Sequence, residues 1–289
     1  MTRAGVEILE DDEEADIATF MLNACGLESN DFFFHERNLT KENFEKNYNT
    51  LVRMVQNRSF RRAPYFVIGY FALLTGGKIS KKLRRDILDA ASWKHEEEYW
   101  LDRDFALRRK AYLEDFREKI RIHRAGQKLH SARFKHSTKD FKNSQVVIGI
   151  NQFRKICKSD EIHQIKYINL DGWNLKTIPE EIFNFRNLKG LSLEFNQLEG
   201  ISNEVSSLKS LKYLYLNYND LSTLPDGMGD LISLKELSIA YNNILRLPEN
   251  LNNLKNLNYI CVRGTGITKV PEFLKNFKYD DLTQTLTLM

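Results

Sequence analysis

Apolar residues recur through the second half of the chain with a period of 23, from Ile165 to Phe277. The units open at Ile165, Leu188, Leu211, Leu234 and Leu257, and each follows LxxLxLxxNxL, then a proline or its substitute, then LxxL. In the third unit these positions are Leu211, Leu214, Leu216, Asn219, Leu221, Leu224, Pro225, Met228 and Leu231. A fixed period of this length predicts a solenoid, because each unit offers one short strand that cannot bury its apolar side alone. Stacked units form a parallel sheet over a continuous leucine core. Asn196, Asn219 and Asn242 recur in phase and are placed to satisfy backbone groups of neighbouring units. Pro179, Pro225, Pro248 and Pro271 pre-set extended chain on the opposite, convex side. Trp173 and Thr265 occupy the asparagine position in the first and last units, and Ser202 stands where proline is expected in the second. Terminal units of a solenoid also act as caps, so departures there are expected.

The first half has a different texture, with apolar residues at helical spacing and helix punctuation between them. Residues 11–24 carry Ala15, Ile17, Ala18, Met21 and Leu22 on one stripe, acids in the first turn and Gly26 beyond the end. Phe32, Phe33 and Phe34 fall in a connection and read as core. A second helix is predicted after Thr40, with Phe44, Tyr48, Leu51, Val52 and Val55 in phase. Pro64 suits a first helical position, and Tyr65 to Leu74 reads as a buried helix stopped by Gly76 and Gly77. Ser80 can cap a fourth, with Leu83, Ile87, Leu88 and Ala91 on its inner face. A fifth and longest spans about Glu96 to Ala125, its inner face drawn as Trp100, Phe105, Leu113, Phe116 and Ile120. The resulting division is a helical domain over 1–125, a basic connection and cap over 126–164, and the repeats over 165–289. The apolar run from Val146 to Cys157 is assigned to covering the first layer of the array. Leu282, Leu286 and Leu288 are assigned to covering the last.

The repeat pattern resembles the leucine-rich repeat family, in the variant with Leu-Pro after the asparagine turn. The resemblance covers 165–289 and implies an α/β solenoid of five repeats with a parallel sheet on its concave face, preceded here by an all-α domain. It also implies a protein-interaction module, without catalysis, whose partner lies on that face. The residues that the strand positions point there are Tyr167, Asn169, Asp171, Glu194, Phe195, Tyr213, Tyr215, Asn217, Tyr218, Glu236, Tyr241, Tyr259 and Arg263. Six of the twelve tyrosines fall on this one surface, and Tyr213, Tyr215 and Tyr218 cluster in the central unit. Tyrosine offers large contact area at small rotamer entropy and keeps a hydroxyl for hydrogen bonding, which suits a protein partner. The helical domain would supply a second contact or an effector. Leucine-rich repeats also serve as ribonuclease inhibitors, so an inhibitor or immunity-type protein that blocks an enzyme is an alternative by analogy of fold.

Charge adds a second alternative. Residues 165–289 hold 13 Lys and Arg against 14 Asp and Glu, whereas residues 1–164 hold 30 against 25. The excess concentrates in 117–142, where Arg117, Arg121, Arg124, Lys128, Arg133 and Lys135 form a candidate nucleic-acid surface. Arg117/His123 and Arg124/His130 share a spacing loosely similar to the Arg/His pair of HEPN-type ribonucleases, although the surrounding helical pair is not evident. A column of Lys166, Lys189, Lys212 and Lys235, ending at Asn258, reads equally as steering for an acidic partner or as a solvated sheet edge.

Other chemistry is not written in the chain. Thr75 to Ser80 lacks the first glycine and the final hydroxyl of a phosphate loop, and His95 lacks the second histidine of HExxH. Three dispersed cysteines, Cys25, Cys157 and Cys261, suggest neither disulfides nor a metal, and no cofactor is implied. The N-terminus carries no basic-then-apolar leader, and Tyr65–Leu74 is about half the length that spans a bilayer. A cytoplasmic protein with no membrane partner is the expectation.

Overall fold

The computed structural model describes residues 12–28, 38–57, 61–98, 102–132 and 141–288. The chain divides into two compact units, Met1–Phe134 and Lys135–Met289, each with its own hydrophobic core.

The first unit is helical: α1 Asp12–Ala24, α2 Lys41–Val55, α3 Ala63–Thr75, α4 Lys81–Ala90 and α5 Arg103–Ile122. Helix α3 is apolar on every side, and the other four pack around it. That is the arrangement an all-round hydrophobic helix demands. Gly69 lets α5 approach closely, since a Cβ there would lie 2.7 Å from the Phe116 ring. The Thr40 hydroxyl accepts from the Asn43 amide and the Ser80 hydroxyl from the Leu83 amide, so the N-caps of α2 and α4 are where the sequence places them. Gly76 ends α3 in the left-handed conformation.

Three expectations for this unit change. Helix α5 starts at Arg103, later than the expected Glu96, and Phe105, in its first turn, is exposed rather than in the core. The helical unit also continues past residue 125. Gly126 N donates to Gly76 O, Leu129 N donates to Leu73 O, and Leu129 and Ala132 are buried. Phe32, Phe33, Phe34 and Trp100 lie outside the described residues.

Buried charge, invisible to hydrophobic patterning, ties the helices together. Arg109 of α5 reaches Glu14 of α1 at 3.0 Å and Glu96 at 3.0 Å, and Arg62 also bonds Glu96. Burial opposes the Arg109 charge, and the two carboxylates more than offset it, so its pKa is raised. Lys119 and Asp115 form a second fully buried pair at 2.7 Å, one helical turn apart.

The second unit is the solenoid. Its strands are β1 Val146–Ile148, β2 Tyr167–Asn169, β3 Gly190–Ser192, β4 Tyr213–Tyr215, β5 Glu236–Ser238 and β6 Tyr259–Cys261. All six pair in parallel, and from β2 onward each aligns with the next at an offset of 23 residues. The side opposite the sheet is built of short 3-10 turns, opening at Pro179, Pro225, Pro248 and Pro271. Ser202 fills the missing proline position with a similar backbone, and its hydroxyl accepts from the Glu204 amide. Turns are wider than strands, so the stack curves toward the sheet.

Asparagines bind the units to one another. Asn219 Nδ2 donates to Leu193 O and Leu216 O, both at 2.9 Å, and its Oδ1 accepts from Leu198 N. Asn196 and Asn242 repeat the pattern one unit away on either side.

The N-terminal cap is itself a strand of the sheet, β1, followed by helix α6 Ile150–Ile156, and Val147, Ile150 and Phe153 enter the repeat core. At the other end β7 Phe277–Asp280 and β8 Thr285–Leu288 form an antiparallel hairpin, with β8 against β6. Only Leu286 of the three expected cap leucines is buried. Leu282 is 88% exposed at the hairpin turn, and Leu288 is also exposed.

Candidate functional site

Strand pairing sorts the sheet face into columns. Tyr167, Gly190, Tyr213, Glu236 and Tyr259 are aligned in one, and Asn169, Ser192, Tyr215, Ser238 and Cys261 in the next. The two ends of this face differ.

At the N-terminal end the expected surface is closed. Tyr167 is 0% exposed, and its ring lies over Gly190, where a Cβ would come within 2.4 Å of it. Asn169, Asp171 and Glu194 are buried as well. Asp171 Oδ1 accepts from the Ser192 hydroxyl at 2.6 Å and the Glu194 amide at 2.8 Å. Glu194 accepts from Asn217 Nδ2 at 2.6 Å. These four side chains do not line an open surface, contrary to their reading as contact residues. Small residues contribute to this: Gly190 leaves room for the Tyr167 ring, which also lies 6.3 Å from that of Phe141, and Ser192 bonds Asp171 along the sheet.

From the third repeat onward the face opens. Tyr213, Tyr215, Asn217, Tyr218, Glu236, Tyr241 and Tyr259 are half-buried, and Arg263 is exposed. The Tyr215 hydroxyl donates to Glu236 at 3.2 Å. Asn217 Oδ1 holds the Ser238 hydroxyl and the Ala240 amide, both at 2.7 Å, so the backbone beneath is fixed. Burial, with Cys261 and Glu236 nearby, pushes the Tyr259 phenol up to about 12, against the opposing influence of Arg263. That hydroxyl therefore stays a neutral donor at physiological pH.

The strand ends carry a third column: Gly172, Phe195, Tyr218, Tyr241 and Gly264. All five residues are left-handed, with φ of 66°, 55°, 57°, 55° and 66°. The three aromatic rings stack face to face, 4.4 Å from Phe195 to Tyr218 and 4.4 Å from Tyr218 to Tyr241. A left-handed bulky residue costs about 1–2 kcal/mol, and aromatic pairing recovers about 0.5–1.5 kcal/mol per pair. Sequence reading finds the column but not its conformation. The signal available was the glycine at each end, since one column shares one backbone shape and glycine is its natural occupant.

Two of the six residues of the basic stretch have partners inside its own unit. Arg117 donates to the Leu88 carbonyl, and Arg121 pairs with Glu118 at 2.8 Å. Arg124 and Lys128 are exposed, whereas Arg133 and Lys135 lie outside the described residues. Both histidines of the Arg/His spacing are buried. His123 Nε2 donates to Gly77 O at 2.8 Å, and His130 bonds the Tyr70 hydroxyl at 3.0 Å. Neither imidazole is placed to meet a phosphodiester at the surface. Burial pushes the Cys25 thiol up to about 11, so it is inert as a nucleophile at neutral pH. Among the described residues no group of three or more His, Cys, Asp or Glu is arranged to hold a metal, and no helix is long and apolar enough to cross a membrane. An open cavity of about 690 Å³ on the turn side is lined by Glu180, Glu181, Phe183 and Glu204 among others, with no built polar centre.

A family model described as leucine-rich repeat region matches residues 147–257. The second unit is a leucine-rich repeat array. Two solved structures are similar to it. A leucine-rich repeat protein of Leptospira interrogans is 32% identical over 40% of this chain and 31% of its own, with a TM-score of 0.38. An internalin from Listeria monocytogenes is 26% identical over 42% of this chain and 33% of its own, with a TM-score of 0.35. The chain thus spans about a third of the length of either. No curated protein matches. Leucine-rich repeat proteins generally mediate protein–protein interaction and are typically not enzymes.

Proposed function

We propose that the leucine-rich repeat array binds a protein partner on the open, C-terminal part of its sheet face, centred on Tyr213, Tyr215 and Tyr218. The observation that carries this reading is the strained aromatic column. Phe195, Tyr218 and Tyr241 hold a backbone conformation that glycine or asparagine would adopt more cheaply, and they remain half-buried rather than sealed in the core. Strain kept at a surface of stacked aromatics is the pattern of a contact site. Tyr213, Tyr215, Asn217, Glu236, Tyr241, Tyr259 and Arg263 surround it with hydroxyl, amide and charged groups suited to a polar rim. The closed N-terminal end, with Tyr167, Asn169, Asp171 and Glu194, supports the face from within.

The test is affinity capture from nuclease-treated lysate with the wild type and a Tyr213/Tyr215/Tyr218→Ala variant, followed by hydrogen exchange on the recovered complex. The expected result is a partner lost from the still-folded variant, with protection in the wild type over 213–218. Equal capture by both proteins, or protection confined to the helical unit, sinks the reading.

A further inference from the structure

The edge of the sheet face opposite the aromatic column carries four cations in single file. Lys166, Lys189, Lys212 and Lys235 stand one repeat apart at the entry to β2, β3, β4 and β5. They are direct hydrogen-bonded neighbours: Lys189 N donates to Lys166 O at 2.7 Å, Lys212 N to Lys189 O at 2.7 Å and Lys235 N to Lys212 O at 2.9 Å. Their Cα atoms therefore repeat at about the 4.8 Å spacing of adjacent strands. Asn258 takes the next place, bonded to Lys235 O, and ends the charge.

We propose that this lysine column is the docking track for an acidic α-helix of the protein partner, one carboxylate to each helical turn. The inference rests on the reading of the sheet face as a protein-binding surface. Among the described residues none of the four ammonium groups has a carboxylate within ion-pair distance, whereas Lys209 in the same region pairs with Asp230 at 3.8 Å. Glu236, the acid in the neighbouring column, is bonded to the Tyr215 hydroxyl instead. The lysines feel one another: burial and then the charges of Lys212 and Lys166 push Lys189 below the usual lysine range. A row of like charges without counter-charges is relieved when an anionic array of matching pitch lies along it.

The pitch selects the occupant. A helix rises about 5.4 Å per turn, so carboxylates at i, i+4, i+7 and i+11 form a stripe whose spacing lies within about 0.6 Å of the strand repeat. Lysine stems are long and flexible enough to absorb that difference along the four positions. A nucleic acid fits less well. Its charge continues beyond the short track, over a repeat region that carries 14 acids against 13 bases.

The experiment uses the full chain and fluorescence anisotropy with three labelled probes. One is a helical peptide of about 16 residues with glutamate at the four stripe positions. The second is the same peptide with glutamine there, and the third is a single-stranded RNA of about 12 nucleotides, near the size range such grooves take. The protein is compared with Lys189→Gln/Lys212→Gln and with the off-track control Lys209→Gln/Lys255→Gln. The expected result is about tenfold weaker binding of the acidic peptide to the track variant, no change for the control, and attenuation of the difference by salt. Equal binding of the glutamate and glutamine peptides, or an unaffected track variant, overturns the proposal. So does RNA that binds more tightly than the acidic peptide and is lost in the same variant, because the track then belongs to a nucleic acid. If the captured partner is lost from the Tyr213/Tyr215/Tyr218→Ala variant but kept by the track variant, the lysine inference fails and the protein-binding face stands. If both variants keep it, both fail.

Discussion

Asn219 shows how much order one side chain imposes at a repeat boundary. Its amide donates to the carbonyls of Leu193, Leu216 and, more weakly, Asn217, and accepts from Leu198 N, joining two successive repeats. In Asn219→Ala those buried groups lose their partner, at about 1–3 kcal/mol for each left unsatisfied. Allowing for relaxation, the variant is expected to lose about 3 kcal/mol, read as a lower denaturation midpoint of the repeat unit with no change in slope. This role was legible from spacing alone, because asparagine recurring at a turn has few other uses. The roles of Tyr167 and Asp171 were not. Alternation says that a side chain leaves the core, but not whether other side chains, such as Phe141 beside Tyr167, then cover it.

His123 makes a prediction of a different kind. Its Nε2 donates to Gly77 O, and among the described residues its buried Nδ1 meets no partner. Protonation would place a second N–H, and a charge, where nothing receives them. Burial foremost, with a contribution from Arg84, pushes its pKa below the ordinary 6.5 despite the favourable bond to Gly77. The unfolded chain then binds the proton more readily than the folded one, so stability is fully present above about pH 6.5 and declines as pH falls through that value. Thermal melts at pH 7.5 and 5.5 should show a drop in Tm for the wild type that is smaller in His123→Gln. An equal drop in both proteins assigns the acid sensitivity to other groups.

At the scale of elements, capping and periodicity settled most of what the sequence could say. Thr40, Ser80 and Gly76 end their helices as read, and Ser202 replaces a proline by supplying a hydroxyl cap. The failures have physical causes. Phe105 matches the helical period of α5 but is exposed near its start, and the place one turn on along the same stripe is taken by Arg109, buried against Glu14 and Glu96. A buried arginine paired with two acids leaves no trace in a hydrophobic pattern. The C-terminal hairpin is the second case, since three leucines were assigned to one cap and only Leu286 serves it. Leu286→Ala is accordingly expected to cost about 2–5 kcal/mol, whereas Leu282→Ala should fall within about 0.5 kcal/mol of the wild type in denaturant titrations. Comparable losses in the two variants would falsify this assignment of the cap.

For the whole chain, a period of 23 residues makes the second unit legible in the sequence, because repetition confirms itself across units. The helical unit offered no such check, and its continuation through Ala132 depends on backbone bonds from Gly126 and Leu129 that no composition signals. The same repetition constrains how the binding surface can change. Gly172 and Gly264 bracket the stacked rings of Phe195, Tyr218 and Tyr241, and a Cβ at Gly264 would come within 2.6 Å of the Tyr241 ring. The number of rings therefore equals the number of repeats between two glycines. Duplication of one inner unit in the gene adds a strand, a ring and an asparagine together, and loss of one unit removes them together. An insertion of any other length throws every later column out of line. Such a surface can lengthen or shorten only by whole numbers.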